Sequence, residues 1–165
     1  NGSKVLQINK SEGTNSLLKS NEEEKAIYGD LLSTTGEIKV KSQMLDDFIH
    51  ENSIEQVDLL KLDLQGSELQ ALSGASEALS EGKIKCILCE IMFRPQYELQ
   101  SPASAILSEL MENHDFTLFN LYQLHHHHGY LCQTDALFLH SSILMSAREK
   151  AHQAFHPYSP FGIKA

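Results

Sequence analysis

Apolar and polar positions change their spacing several times along the chain, and each change marks an element. Val5, Gln7 and Asn9 alternate with Leu6 and Ile8, which predicts a strand, and the Asn1-Gly2 dipeptide ahead of it is typical of a tight hairpin turn. The pattern reads as the outgoing strand of a hairpin whose first strand is absent, with a processed amino terminus as the alternative. Residues 11–21 are rich in Ser, Asn, Gly and Lys and predict a loop; residues 22–36 follow no single period; Ile38 and Val40 predict a second short strand. Ser42 stands where a helix cap belongs, ahead of a helix that puts Leu45, Phe48 and Ile49 on one face and stops near Asn52.

The middle of the chain repeats one order. Residues 57–64 form an apolar run interrupted by Asp58, Lys61 and Asp63, the pattern of a largely buried strand. Gly66 breaks it, and a single helix with Leu69, Leu72, Ala75 and Leu79 inward runs to Gly82, where a helix stop belongs. The run Ile84–Met92 is a second buried strand. Ser101-Pro102 opens another helix, with Pro at the first position and Ala103, Ile106, Leu107, Leu110 and Met111 at helical spacing. Strands over 116–122 and 136–140 follow, separated by a polar loop that holds His125 to His128. The order strand, helix, strand, helix, strand, strand predicts an α/β sheet covered on both faces, in which parallel strands with right-handed crossovers end in an antiparallel hairpin. Residues 143–155 predict a terminal helix before a Pro/Gly/Ser-bearing tail.

Composition narrows the partners. The chain has 165 residues, enough for one domain, and a formal charge of −9. That charge argues against nucleic acid, which needs clustered Lys and Arg, and against an anionic membrane surface. No apolar stretch approaches the roughly 20 residues that span a bilayer. Cys86 and Cys89 have C-x-x-C spacing, but three residues apart on a strand they face opposite sides, so the three cysteines, with Cys132, read as reduced thiols. Reduced thiols suit a cytoplasmic setting. Adjacent histidines splay apart, so His125 to His128 read as polar loop and not as a metal centre. His50 and His114, near helix ends, read as favourable charges on the helix dipole.

Ligands of open α/β sheets bind beyond the carboxyl ends of the parallel strands, and two such ends carry chemistry. One is 61–68, Lys-Leu-Asp-Leu-Gln-Gly-Ser-Glu. Asp63 ends the strand, either tying down loop amides or serving a site; Gly66 lets the backbone turn closely; Glu68 lies in the first turn of the next helix, where its charge favours the dipole. The other is Glu90 with Met92. A carboxylate inside so apolar a run must pair or take a proton, which makes Glu90 a candidate acid/base or ligand anchor.

The stretch VDLLKLDLQGSELQALSGASEAL, residues 57–79, resembles the most recognisable block of the FkbM family of methyltransferases: Lys-apolar-Asp ending a strand, then apolar-Glu/Gln-Gly-x-Glu, then a helix with Leu-x-Gly-Ala. Residues 38–51 resemble the family's strand and Leu-Asp-Asp-Phe helix, 9–18 its loop ending in Ser-Leu-Leu, 89–97 its Glu-containing strand end, and 134–139 its closing Asp-Ala-Leu-Phe strand. The resemblance covers residues 1–140, in order, as the carboxyl-terminal part of such a domain, with 141–165 as terminal helix and tail. It implies a partial Rossmann-like class I methyltransferase sheet, S-adenosylmethionine as methyl donor, and a hydroxyl on a small-molecule acceptor such as a sugar, polyketide or lipid. Carried onto this chain, Asp63 and Glu90 become the catalytic candidates, Asp63, Gln65 and Gly66 the cofactor-binding ones, and Glu68 and Met92 the substrate-binding ones, with no metal.

The chain also departs from the family. The nine glycines include no G-x-G, so the Gly-rich turn that grips the donor is expected upstream of Asn1. The chain alone is then expected to bind the donor weakly and to self-associate through the sheet edge where the first strand belongs. Two rival functions stand beside methyl transfer: a non-catalytic Rossmann-like interaction module, and a Rossmann-like transferase or reductase using another nucleotide.

Overall fold

The structure is a computed structural model, and it describes residues 1–23 and 28–144. The helix expected over 143–155 and the tail fall almost wholly outside the described residues. The fold is mixed α/β, with two sheets. β1 (Gly2–Asn9) pairs antiparallel with β2 (Thr34–Ser42), Gly2 opposite Ser42. A partner of β1 thus lies downstream in this chain, and Gly2 belongs to the strand itself. Ser42 likewise ends β2 and bonds the Gly2 carbonyl, while Met44 takes the cap position of α1 (Leu45–Glu51). Its backbone is extended there, which is the conformation the cap needs.

The second sheet runs β3 (Val57–Leu62), β4 (Ile84–Met92), β6 (Tyr130–His140), β5 (Phe116–His127) in that spatial order. β3 and β4 are parallel, β4 and β6 antiparallel, β5 and β6 an antiparallel hairpin, as the order of elements predicts. The hairpin strands are longer than expected, because pairing continues past Tyr122 and Asp135 to His125, His126 and His127, opposite Gln133, Leu131 and Tyr130, where a loop was expected. Only His128-Gly129 turn, both left-handed (φ 48° and 81°), the geometry of a two-residue hairpin loop.

The single helix expected after Gly66 is two short ones, α2 (Glu68–Ser73) and α3 (Ser76–Ser80). Gly74 ends the first, and Asp46 of α1 starts the second: its carboxylate accepts the amides of Glu77 and Ala78 at 3.0 and 2.9 Å. A cap supplied by another helix lets the chain bend where a continuous period suggested none. Pro102 caps α4 (Ala103–Ser108) from just outside it, and the helix closes in a π-turn, Glu109–Asn113.

Ile49, Leu72, Leu79, Ile106 and Leu110 from the helical layer meet Ile87, Cys89, Ile91, Ala136 and Phe138 in one core. Those β4 residues alternate with Leu88 and Glu90, so the four helices share one face of the sheet, where both faces were expected to be covered. The crossovers β3 to β4 and β4 to β5 move across the sheet in one direction, and crossovers of one hand then stack their helices on one side. The opposite face carries Glu90 and Met92, and Met92 joins Leu32 and Tyr97 in a second, smaller cluster. Cys89 lies in the main core and Cys86 is half-buried; all three thiols are free. Among the described residues no helix is long and apolar enough to cross a membrane.

Candidate active site at the ends of the parallel strands

Leu62 of β3 registers with Cys89 of β4, so Asp63, one residue on, falls level with Glu90. Parallel pairing thereby brings two carboxylates to one end of the sheet, as the sequence predicts. Gln65 bridges them: its Nε2 donates to Asp63 Oδ1 at 3.1 Å and to Glu90 Oε2 at 2.9 Å. Gln65 is held in turn. The Tyr97 hydroxyl shares its proton between Gln65 Oε1, 2.8 Å away, and the Thr14 carbonyl, 3.0 Å away. Ser16 Oγ donates to the Gln65 carbonyl at 2.7 Å. Such bracing is needed because Gln65 adopts a left-handed backbone, φ 52°, which a side-chain-bearing residue enters only at a cost of about 1 kcal/mol or more.

Gly66 follows with φ 95°. The positive φ favours glycine, and the space is tight as well, since a Cβ here would sit 3.1 Å from Leu18 Cδ1 and 3.3 Å from Tyr97 Cδ2. Glu68 closes the turn from below. It is 2% exposed, and its Oε1 accepts the amides of Leu64 and Gly66 at 2.9 and 3.3 Å. Met92 is buried among Leu32 and Tyr97. Glu68 and Met92 thus belong to the frame around the carboxylates, one holding the turn and the other packing beneath it.

The two central carboxylates differ sharply. The Asp63 side chain is about half exposed, and Lys61 Nζ at 2.6 Å holds its pKa below the usual carboxylate range. Glu90 is 7% exposed. Gln65 and Gln133 each donate an amide N–H to it, at 2.9 and 3.0 Å, which favours the ionised form. Burial outweighs them, reinforced by the charges of Asp63, Glu68 and Asp135, and lifts its pKa to about 8. Burial also raises Glu68. Asp63, beside Lys61, is thus the acid whose ionised form is favoured at these strand ends, while Glu90 and Glu68 hold their protons more tightly than free carboxyls.

A cavity of about 520 Å³ opens beside this turn, between the small sheet and β3 with α2. Leu62, Asp63, Leu64, Ser67, Gln70 and Asn15 are among its walls. Ser67 is buried, and its Oγ has no hydrogen-bond partner. Among the described residues no group of His, Cys, Asp and Glu could hold a metal ion.

The family model described as Methyltransferase FkbM domain matches residues 3–132. The chain belongs to the FkbM methyltransferase family. It is also similar to a curated protein named 2-O-methyltransferase NoeI, from Sinorhizobium fredii (strain NBRC 101917 / NGR234), at 37% identity over 75 residues. That stretch is 46% of this chain and 30% of the relative, so the likeness spans well under half of the relative's length. No solved structure matches the chain.

In this FkbM chain the site also uses residues that sequence reasoning missed. Gln133 faces Glu90 because β6 begins earlier than expected, at Tyr130, and pairs Gln133 with Met92 and Asp135 with Glu90. The alternation was present: Cys132, Thr134, Ala136 and Phe138 are the buried set, which leaves Gln133 and Asp135 on the Glu90 face. Gln96 completes the row, donating to Gln133 Oε1 at 2.7 Å and to the Tyr28 hydroxyl at 3.2 Å. No local pattern marks Gln96, Tyr97 or Tyr28 as members of one network.

Proposed function

We propose that this chain is part of a Rossmann-like class I methyltransferase that moves a methyl group from S-adenosylmethionine to a hydroxyl of a small-molecule acceptor. The observation that carries the reading is the pair Asp63 and Glu90, level with each other at the carboxyl ends of adjacent parallel strands and joined by Gln65. That is where ligands of α/β sheets bind.

The residues present fit a methyl donor of this kind. A sulfonium cation is favoured beside an ionised carboxylate, and Asp63 borders a cavity of small-molecule volume. Ser67 brings a buried hydroxyl that lacks a partner. Asp63, Leu64 and Ser67, which line the cavity, would hold the donor's near side, with Gly66, packed against Leu18 and Tyr97, shaping the turn behind them. When bound, the donor supplies an electrophilic methyl group. The rest of the chemistry belongs to this chain. Asp63 is the carboxylate that reaches the cavity, and Lys61 keeps it ionised, so it is the group that orients an acceptor hydroxyl and takes its proton. Glu90, buried behind it, fixes Gln65 and with it the position of Asp63.

Asp63→Asn tests the reading in the intact protein. The side chains are nearly equal in size, so the fold should persist while transfer of a radiolabelled methyl group falls by about 100-fold or more. Activity within a few-fold of wild type would remove Asp63 from the mechanism.

A further inference from the structure

Glu90 is held by two amides that sit in unequal surroundings. Gln65 Nε2 serves Asp63 Oδ1 and Glu90 Oε2 together, at 3.1 and 2.9 Å. The Tyr97 hydroxyl, 2.8 Å from Gln65 Oε1, and the left-handed backbone of Gln65 fix that pose. Gln133 Nε2 donates to the other oxygen, Glu90 Oε1, at 3.0 Å. Behind it, Gln96 Nε2 donates to Gln133 Oε1 at 2.7 Å and to the Tyr28 hydroxyl at 3.2 Å. Both amides thus point their N–H groups at Glu90, as an acceptor-only carboxylate requires.

A proton on Glu90 turns one of its oxygens into a donor, and one of the two amides must then offer its own oxygen. Gln65 is the poorer choice. Turned over, its Oε1 would face Asp63 Oδ1 as well, and Asp63, kept ionised by Lys61 at 2.6 Å, has no proton to give. Gln133 is under no such constraint. If its amide and that of Gln96 turn over together, Gln133 Oε1 accepts from Glu90 and Gln133 Nε2 donates to Gln96 Oε1. The Tyr28 hydroxyl donates as well as it accepts, so it can serve the turned Gln96. The row keeps its bonds.

We infer that Gln133, backed by Gln96, is a positioning residue of this site: its amide turns over to meet Glu90 in either charge state and so leaves the Gln65 bridge to Asp63 in place. The inference rests on the methyl-transfer reading above and adds a regulation to it, since the pose of Asp63 is insulated from the charge of Glu90. That charge is set by groups on every side. Glu90 faces Asp63 and Lys61 of β3, Glu68 of α2, Asp135 directly opposite on β6, and the Tyr97 phenol. Burial and the three acids favour its protonated form; Lys61 and the two amides favour the ionised one. Burial prevails and lifts its pKa to about 8, so both states occur near neutrality.

The test follows the Glu90 carboxyl carbon and the glutamine side-chain amides by NMR while the 165-residue chain is titrated from pH 5 to 9. The Gln133 and Gln96 amide signals are expected to shift further than those of Gln65, with the midpoint of Glu90. Gln65 shifting furthest, or a Glu90 carbon that does not titrate in this range, overturns the inference. The intact protein supplies a second arm. Gln133→Met keeps the reach of the side chain and deletes its amide, so the amide left to a protonated Glu90 is that of Gln65. Methyl transfer relative to wild type should then fall by about ten-fold or more from pH 9 to pH 6, as Asp63 is displaced. A loss equal at every pH is what a purely structural role gives, and it overturns the inference. If the variant misfolds, the wild-type titration decides alone. The expected shifts in a protein that transfers no methyl group would leave the turning amides standing and remove the methyl-transfer reading. Methyl transfer with Gln65 shifting furthest would do the reverse.

Discussion

The two faces of β4 are built on opposite terms. On one, Ile87, Cys89 and Ile91 meet Phe138, Ala136 and the helical layer, and the contacts are non-directional. On the other, Glu90 sits in a row of amides and hydroxyls drawn from four separate stretches of chain: Gln65, Tyr97 with Gln96, Gln133, and Thr14 with Ser16. The first face tolerates any well-packed apolar set of the right volume. The second depends on each partner being present, because a buried polar group that loses its partner costs about 1–3 kcal/mol. Stability should therefore reside on the core face, and position and proton affinity on the other.

Breaking the core face should have the largest effect on folding. Phe138 is fully buried against Ile87, so Phe138→Ala should cost about 4 kcal/mol through lost burial and the cavity left behind. Urea denaturation measures this. A loss below about 1 kcal/mol would mean that the helical layer collapses onto the gap, and the contrast between the faces would weaken.

The two faces were also unequally legible in the sequence. The core strands and most inward helix positions follow from spacing alone, because burial repeats with the period of the element. Asp63 and Glu90 were legible as carboxylates at strand ends, and their meeting follows from parallel register. The bend at Gly74 was not, since its cap, Asp46, lies about 30 residues earlier in the chain. The reach of β5 and β6 through the histidines was hidden as well: polar side chains on a long hairpin leave the same pattern as a loop. Gln133 and Tyr97 act through tertiary contacts with no local period, and the pairing of β1 with β2 joins residues 25 to 40 positions apart.

The next effect is on the pH dependence of stability. Glu90 has its pKa raised from 4.5 to about 8, so between those values the folded state keeps a proton that the unfolded chain has lost. The contribution of Glu90 to stability is thus fully present below about 4.5 and declines as pH rises to about 8. The slope is up to about 1.4 kcal/mol per pH unit and flattens above that range. Glu90→Gln does not titrate and should remove this share of the slope. Denaturation series from pH 5 to 9 compare the two proteins, and identical slopes would mean that the amides of Gln65 and Gln133 keep Glu90 ionised despite its burial.

The smallest effect should come from one oxygen atom. Tyr97→Phe keeps the ring in its cluster with Leu32 and Met92 and deletes only the hydroxyl that braces Gln65 and Thr14. A single neutral hydrogen bond of this kind is worth about 1 kcal/mol, so the thermal midpoint should fall by a few degrees. The sharper readout is coupling. If the hydroxyl acts by holding the Gln65 amide, then once Gln65→Ala has been made, Tyr97→Phe should cost less, with a coupling of about 0.5–1 kcal/mol in the double-mutant cycle. Methyl transfer should separate the same way: Tyr97→Phe and Gln65→Ala should each slow the reaction, and the pair should be little worse than Gln65→Ala alone. Additive losses would mean that Tyr97 serves the Thr14 carbonyl and the small sheet, leaving Gln65 to hold the carboxylates unaided. The polar face would then be a set of independent contacts and no longer a network, and the distinction between the two sides of β4 would rest on burial alone.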